Sequence, residues 1–318
     1  MPATNTSMSA IQWIMLLTLS LVWGGSYFFV GVAVGDLPPL TIVLCRVGFA
    51  SIALLIFLAC TGQSMPTDRR VWAAFFIMGL LNNAIPFSLI VWGQTHVSAG
   101  QASILNATTP IFTVITAHLF TRDEKMKPRH LLGIALGFAG VAVLMGGAFL
   151  EAFTSSLLAQ MALLGAAVSY AFSAVFGRRF RTLGIPPMQI ATGQVTAAAL
   201  LLLPLVVLID RPLQLAPPGL PSLLAVLGLA LISTAFAYVL YFRILASAGA
   251  TNLSLVTMLV PPTAICLGIL FLDEVLEPHH LAGLALIIAG LLVIDGRLAA
   301  FRRDAGRASH VDAGYLTA

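Results

Sequence analysis

Apolar positions run in long blocks along this chain, and polar positions gather at the block ends instead of alternating with them. No charged side chain, taking histidine as neutral, interrupts residues 1–34, 71–121, 152–177 or 244–272. A bilayer core about 30 Å thick needs roughly 20 apolar residues per helix, and blocks of this length supply them. The pattern predicts ten spans, at 11–33, 39–61, 71–94, 98–121, 130–147, 158–178, 187–209, 220–243, 251–271 and 280–296. Hydrocarbon offers backbone N–H and C=O groups no water partners, so such runs must be helices. Strands of a membrane barrel would alternate polar and apolar residues, and these do not. The first span lacks a basic leader, is too long for a signal h-region and ends without a small-residue cleavage site. It is expected to remain as a permanent helix.

A second pattern is laid over the first. Asp123, Glu124, Pro128, His130, Leu131, Gly133, Ala135, Leu136, Ala139 and Gly140 recur without a gap as Asp273, Glu274, Pro278, His280, Leu281, Gly283, Ala285, Leu286, Ala289 and Gly290. Pro38 and Pro39 before the second span correspond to Pro186 and Pro187 before the seventh, and Pro110 corresponds to Pro261. The chain therefore reads as two five-helix units, 11–147 and 158–296, followed by a basic tail, 297–318. Five is odd, so the second unit must enter the membrane with the opposite orientation. Fourteen of the sixteen Lys and Arg residues fall in loops on one side; Arg211 stands alone opposite and Arg46 lies inside a span. By the positive-inside rule both termini are cytoplasmic, in an inner-membrane protein. The expected fold is all-α: ten transmembrane helices as two inverted repeats around a central cavity.

Composition narrows the chemistry. Only 9% of the residues are charged against 59% hydrophobic, far from a soluble domain. The basic tail is expected to be disordered and to face anionic lipid, so the excess of basic charge implies no nucleic-acid partner. Cys45, Cys60 and Cys266 all fall in apolar spans, giving neither a disulfide framework nor a metal pattern. No cofactor is expected. Paired aspartates at depth and a His-Glu-x-x-His motif are both absent, which argues against an intramembrane protease.

Val22-Trp23-Gly24-Gly25-Ser26, Arg46 in the second span, Ser98-Ala99-Gly100 through Asn106-Ala107-Thr108-Thr109-Pro110, and the paired Asp-Glu…Pro…Gly segments resemble the drug/metabolite transporter superfamily, in its ten-helix EamA form. The resemblance covers about 11–296 and implies a secondary transporter exporting small metabolites. Two branches are a poor match. The sugar-phosphate branch uses lysines in its fourth and ninth helices, and the four-helix multidrug branch a glutamate in its first; here those spans hold neither. All twelve acidic residues lie in loops or near span ends. A neutral or zwitterionic cargo, such as amino acids, is therefore expected. Amphipathic drugs or toxic compounds are the alternative cargo, and a channel or membrane-embedded enzyme the alternative class.

Candidate pathway residues follow from polarity at depth. Arg46 lies seven residues past Pro39, about 10 Å into the bilayer at 1.5 Å per residue. It could pair a substrate carboxylate or serve structure, bonded to carbonyls; its repeat mate is Gln194. Asn106 and Thr109 in the fourth span, and Thr257 in the ninth, precede or adjoin prolines expected to kink those helices. Asn106 and Thr257 are expected to face each other. Asn83 in the third span, and Trp23, Tyr27, Tyr170 and Tyr238 nearer mid-membrane, could complete an uncharged pocket. The small-residue faces of the fifth and tenth spans read as helix packing, leaving open whether a monomer or a dimer forms.

Overall fold

The computed structural model describes residues 8–121, 125–145 and 155–295. The basic tail and Asp123, Glu124 and Glu151 lie outside them. The described residues form helices and connecting loops, with no strand among them. We number the helices α1 (Ala10–Ala33), α2 (Pro39–Cys60), α3 (Arg69–Gly93), α4 (Ala99–Phe120), α5 (Pro128–Met145), α6 (Ser155–Gly177), α7 (Pro187–Ile209), α8 (Leu220–Gly249), α9 (Val256–Phe271) and α10 (Pro278–Asp295). Seven are long and apolar enough to cross a membrane; α5, α9 and α10 are shorter apolar helices.

Local sequence sets the helix starts. Ser9 and Gln12 form a reciprocal capping box ahead of α1, and the Ser98 hydroxyl accepts the Gln101 amide at the start of α4. Pro39 and Pro187 occupy first-turn positions, where a missing N–H costs nothing. Eight helices close a ring in the order α1, α8, α2, α7, α3, α6, α4, α9 and back to α1. Exchanging α1–α4 for α6–α9 maps this order onto itself. The pair α5–α10 stands outside the ring and touches it at α4.

Two pairs of helices at corresponding places in the repeats, α2 with α7 and α5 with α10, run antiparallel. The Thr41 amide and hydroxyl, at the start of α2, both donate to Asp210 just past the end of α7 (2.7 and 2.8 Å). Gln189, at the start of α7, donates to the Ser64 carbonyl just past the end of α2 (2.9 Å). In the α5–α10 pair a Cβ on Gly133 would lie 2.6 Å from the Gly290 carbonyl oxygen, and one on Gly140 2.7 Å from that of Gly283. Only glycine allows backbones this close. Gly137 instead faces Ile111 of α4.

Two departures from regular helix appear at matching places. Leu80–Ala84 in α3 and Leu231–Phe236 in α8 are π-helical turns, which sequence periodicity did not indicate. Each π turn carries adjacent polar residues, Asn82 and Asn83 in one and Ser233 and Thr234 in the other. The expected proline kink in the fourth span is instead a break at Ala107–Thr108, with Pro110 in the first turn of the helix Thr109–Phe120. There the proline removes no hydrogen bond. Pro261 and Pro262 do sit inside α9.

At one end of the ring three carboxylates cross between repeats to helix N-termini. Asp210 does so on α2, Asp36 accepts from the Gly219 amide (2.9 Å) and Ser222 hydroxyl (2.7 Å) at α8, and Glu274 accepts from the Ala99 (2.6 Å) and Gly100 (3.1 Å) amides at α4. A helix N-terminus offers unpaired N–H groups and partial positive charge, so an acid satisfies both. At the other end a hollow of about 320 Å³ opens between α2, α7 and α8, bounded by Phe57, Gln63, Met188, Val239, Phe242 and Arg243.

Two outcomes are expected. Gly140→Leu should overpack the α5–α10 contact and lower stability by about 1–3 kcal/mol, read as an earlier melt in detergent. The bonds from Ser222 and Gly219 hold the Asp36 carboxyl below the usual aspartate range. Its contribution is therefore full above about pH 4 and fades as pH falls through the lowered native value. The melting gap between wild type and Asp36→Asn should accordingly close under acid conditions; a gap that widens would reverse this sign.

Candidate functional site

Two of the three apolar clusters meet at one side chain, Tyr170 of α6, which packs against both. Polar side chains collect around this junction. Arg46 of α2 is 6% exposed, and its guanidinium carbon lies 3.6 Å from the centre of the Phe87 ring. Its Nε donates to the Thr234 hydroxyl oxygen at 2.9 Å. Thr234 is fixed as the acceptor because its own hydroxyl donates to the Leu229 carbonyl, five residues back, at 2.9 Å. Thr234 itself lies in the π turn Leu231–Phe236, so the irregular backbone carries the acceptor that meets the arginine.

Around the guanidinium stand Tyr27, Tyr170 and Tyr238, from α1, α6 and α8. No carboxylate of the described residues faces it, and its two terminal nitrogens meet no protein acceptor. An arginine carries five N–H donors, of which the protein engages one. A cation–π contact is worth about 0.5–2 kcal/mol, short of the several kcal/mol that burying an ion costs. The cation is held in place but not neutralised.

A neutral network surrounds it. The Tyr238 hydroxyl accepts from Asn82 (3.3 Å) and Asn83 (3.2 Å). Asn82 also donates to Gln194 (3.0 Å) and accepts from Ser173 (2.9 Å). Gln194, the repeat mate of Arg46, thus ties α7 into the same network. Asn106 lies beside Tyr27, and its buried side-chain oxygen has no partner. The side-chain oxygens of Asn83 and Gln94 are likewise buried and unpaired. Gln94 still donates its amide to the Tyr27 carbonyl at 2.9 Å.

The structure gathers Tyr27, Arg46, Asn83, Asn106, Tyr170 and Tyr238 into this cluster. Trp23 packs on Tyr241 with ring centres 5.7 Å apart, one α-helical turn from Tyr27. Thr109 and Thr257 give their hydroxyls to carbonyls of their own turns, those of Asn106 and Ser254 (both 2.7 Å). No described contact joins Thr257 to Asn106. That Phe87 and Thr234 hold Arg46 is a contact only the fold reveals.

The EamA-like transporter family model matches the chain twice, over residues 10–146 and 157–295. The chain is 30% identical over 283 residues to the uncharacterized inner membrane transporter YedA of Escherichia coli (strain K12), covering 88% of this chain and 89% of that protein. It is 26% identical over 279 residues to the uncharacterized transporter YoaV of Bacillus subtilis (strain 168), covering 87% and 94%. A probable terminal-alkyne amino-acid exporter of Streptantibioticus cattleyicolor is 28% identical over 298 residues, covering 94% and 97%. One solved crystal structure superposes with a TM-score of 0.64 at 19% identity, covering 90% of this chain and 98% of that one, a likeness of fold alone.

The network makes its own prediction. Tyr238→Phe removes the acceptor shared by Asn82 and Asn83 and leaves buried donors unpaired. A loss of about 1–3 kcal/mol is expected, measured by thermal melting against wild type. An unchanged melt would mean that water already satisfies those amides.

Proposed function

Because the chain belongs to the EamA-like transporter family, of the drug/metabolite transporter superfamily, we propose that it exports small neutral or zwitterionic metabolites, amino acids foremost, across the inner membrane by alternating access. The observation that carries this reading is a single uncompensated cation in an otherwise uncharged polar cluster, built by helices of both repeats. A cationic drug would need a carboxylate at this depth, and a phosphate would need several cations. The amino-acid exporter among the relatives agrees with the reading.

In this reading all ten helices span, with α5, α9 and α10 as the short ones, and the second repeat is inverted. Antiparallel mates support it, as do the Lys and Arg residues concentrated in loops at one end. Both termini then lie in the cytoplasm. The acid-capped end then faces outward, and the hollow near Arg243 faces inward. Arg46 and the tyrosines sit between, and rocking of one repeat against the other would expose them to either side in turn.

Two measurements test this. Single cysteines placed at Lys127 and Glu277 in a cysteine-free background should be labelled from opposite sides of the membrane. Labelling from the same side would end the inverted arrangement. Purified protein in liposomes should carry at least one member of a panel of amino acids with saturable kinetics and measurable counterflow. Flux that rises linearly with concentration would mark a channel instead.

A further inference from the structure

We infer that Arg46 is the docking group for a carboxylate of the transported molecule, and that Asn106 accepts from a donor group on the same molecule. The inference rests on the transport reading and gives its site a chemistry. The guanidinium is anchored from one edge and one face. Nε is held by Thr234 and the plane lies over Phe87, which leaves the opposite fork, the two terminal nitrogens, without a protein partner. A carboxylate matches that fork with two parallel hydrogen bonds. The charge count favours the same group. One guanidinium stands there with only tyrosine hydroxyls as its charged or titratable neighbours, which suits one negative charge and not two.

The other end of the ligand follows from the unpaired acceptor. Asn106 on α4 holds a buried carbonyl oxygen with no partner, beside Tyr27, which itself faces Arg46. Buried acceptors left open are rare in folded proteins, and an ammonium or amide N–H would satisfy this one. A carboxylate and an N–H donor on one small molecule describe an amino acid or a close analogue. The tyrosine rings around Arg46 offer surface to an apolar side chain and no charge to an acidic or basic one.

The test compares acids with their amides. Binding to the purified protein in detergent is followed by tryptophan fluorescence for leucine, phenylalanine and threonine, each beside its carboxamide, with butyrate as a carboxylate lacking the amine. Counterflow of the same amino acids is measured in liposomes. At least one amino acid should bind about tenfold or more tightly than its amide, the scale of one lost charge-assisted bond. Arg46→Gln should weaken the acid to the level of the amide, and Arg46→Lys should restore part of the difference. Asn106→Leu should weaken the amino acids and leave butyrate unchanged. Equal affinity for acid and amide in the wild-type protein overturns the inference without any variant having to fold, as does an absence of binding by every carboxylate. Discrimination in binding without flux would defeat the transport reading and leave the docking site standing. Flux without discrimination would do the reverse.

Discussion

A guanidinium in the middle of an apolar bundle, held by one neutral hydroxyl and one aromatic face, is the constraint around which the rest of this molecule is arranged. Burying an ion costs several kcal/mol even after relaxation, and the protein offsets only part of that at Arg46. The same position is glutamine in the second repeat, where Gln194 joins a fully neutral network. The two repeats thus build one site from unequal halves. The first repeat brings Arg46 with Asn82, Asn83 and Asn106, the second brings Thr234, Tyr238 and Gln194, and Tyr170 packs against two apolar clusters that each draw on both repeats.

The backbone supplies what the side chains need. A π turn lets neighbouring residues face the interior together, at the cost of carbonyls that require new donors. Thr234, in one such turn, donates to the Leu229 carbonyl and so becomes a fixed acceptor for Arg46. In α3 the Leu81 carbonyl is met by Ser169 of α6 at 2.7 Å. Irregular helix at depth is tolerated where protein satisfies it or where it lines a cavity, and both π turns border the polar cluster. Among the described residues, acids hold helix N-termini across the repeats at one end of the ring, and Gln189 meets the Ser64 carbonyl at the other.

Much of this was legible in the sequence because membrane burial writes itself in blocks. The repeat at Asp123 and Asp273, the helix positions and the small-residue faces of α5 and α10 all follow from hydropathy and spacing. Arg46 was visible as the one charge inside a span. What escaped was whatever depends on backbone registry or on partners far along the chain. The π turns leave no periodic trace, since Leu80–Ala84 and Leu231–Phe236 are as apolar as regular helix around their polar pairs. Pro110 read as a kink because sequence cannot tell a proline inside a helix from one beginning a new one. Thr234 lies 188 residues from Arg46, and only the fold brings them within 2.9 Å.

Whether Arg46 serves a ligand or the fold can be decided by stability. A structural arginine is part of what holds the bundle together, whereas an uncompensated cation kept for a ligand strains the empty protein. The direct measurement is the melting temperature of Arg46→Met in detergent beside wild type, without added solutes. Replacing a poorly compensated buried charge by an apolar side chain of similar length is often neutral or stabilising. The variant should therefore melt at or above the wild-type temperature. A melt many degrees lower would show that Arg46 is a structural bond and that the charge at the centre of the ring belongs to the fold.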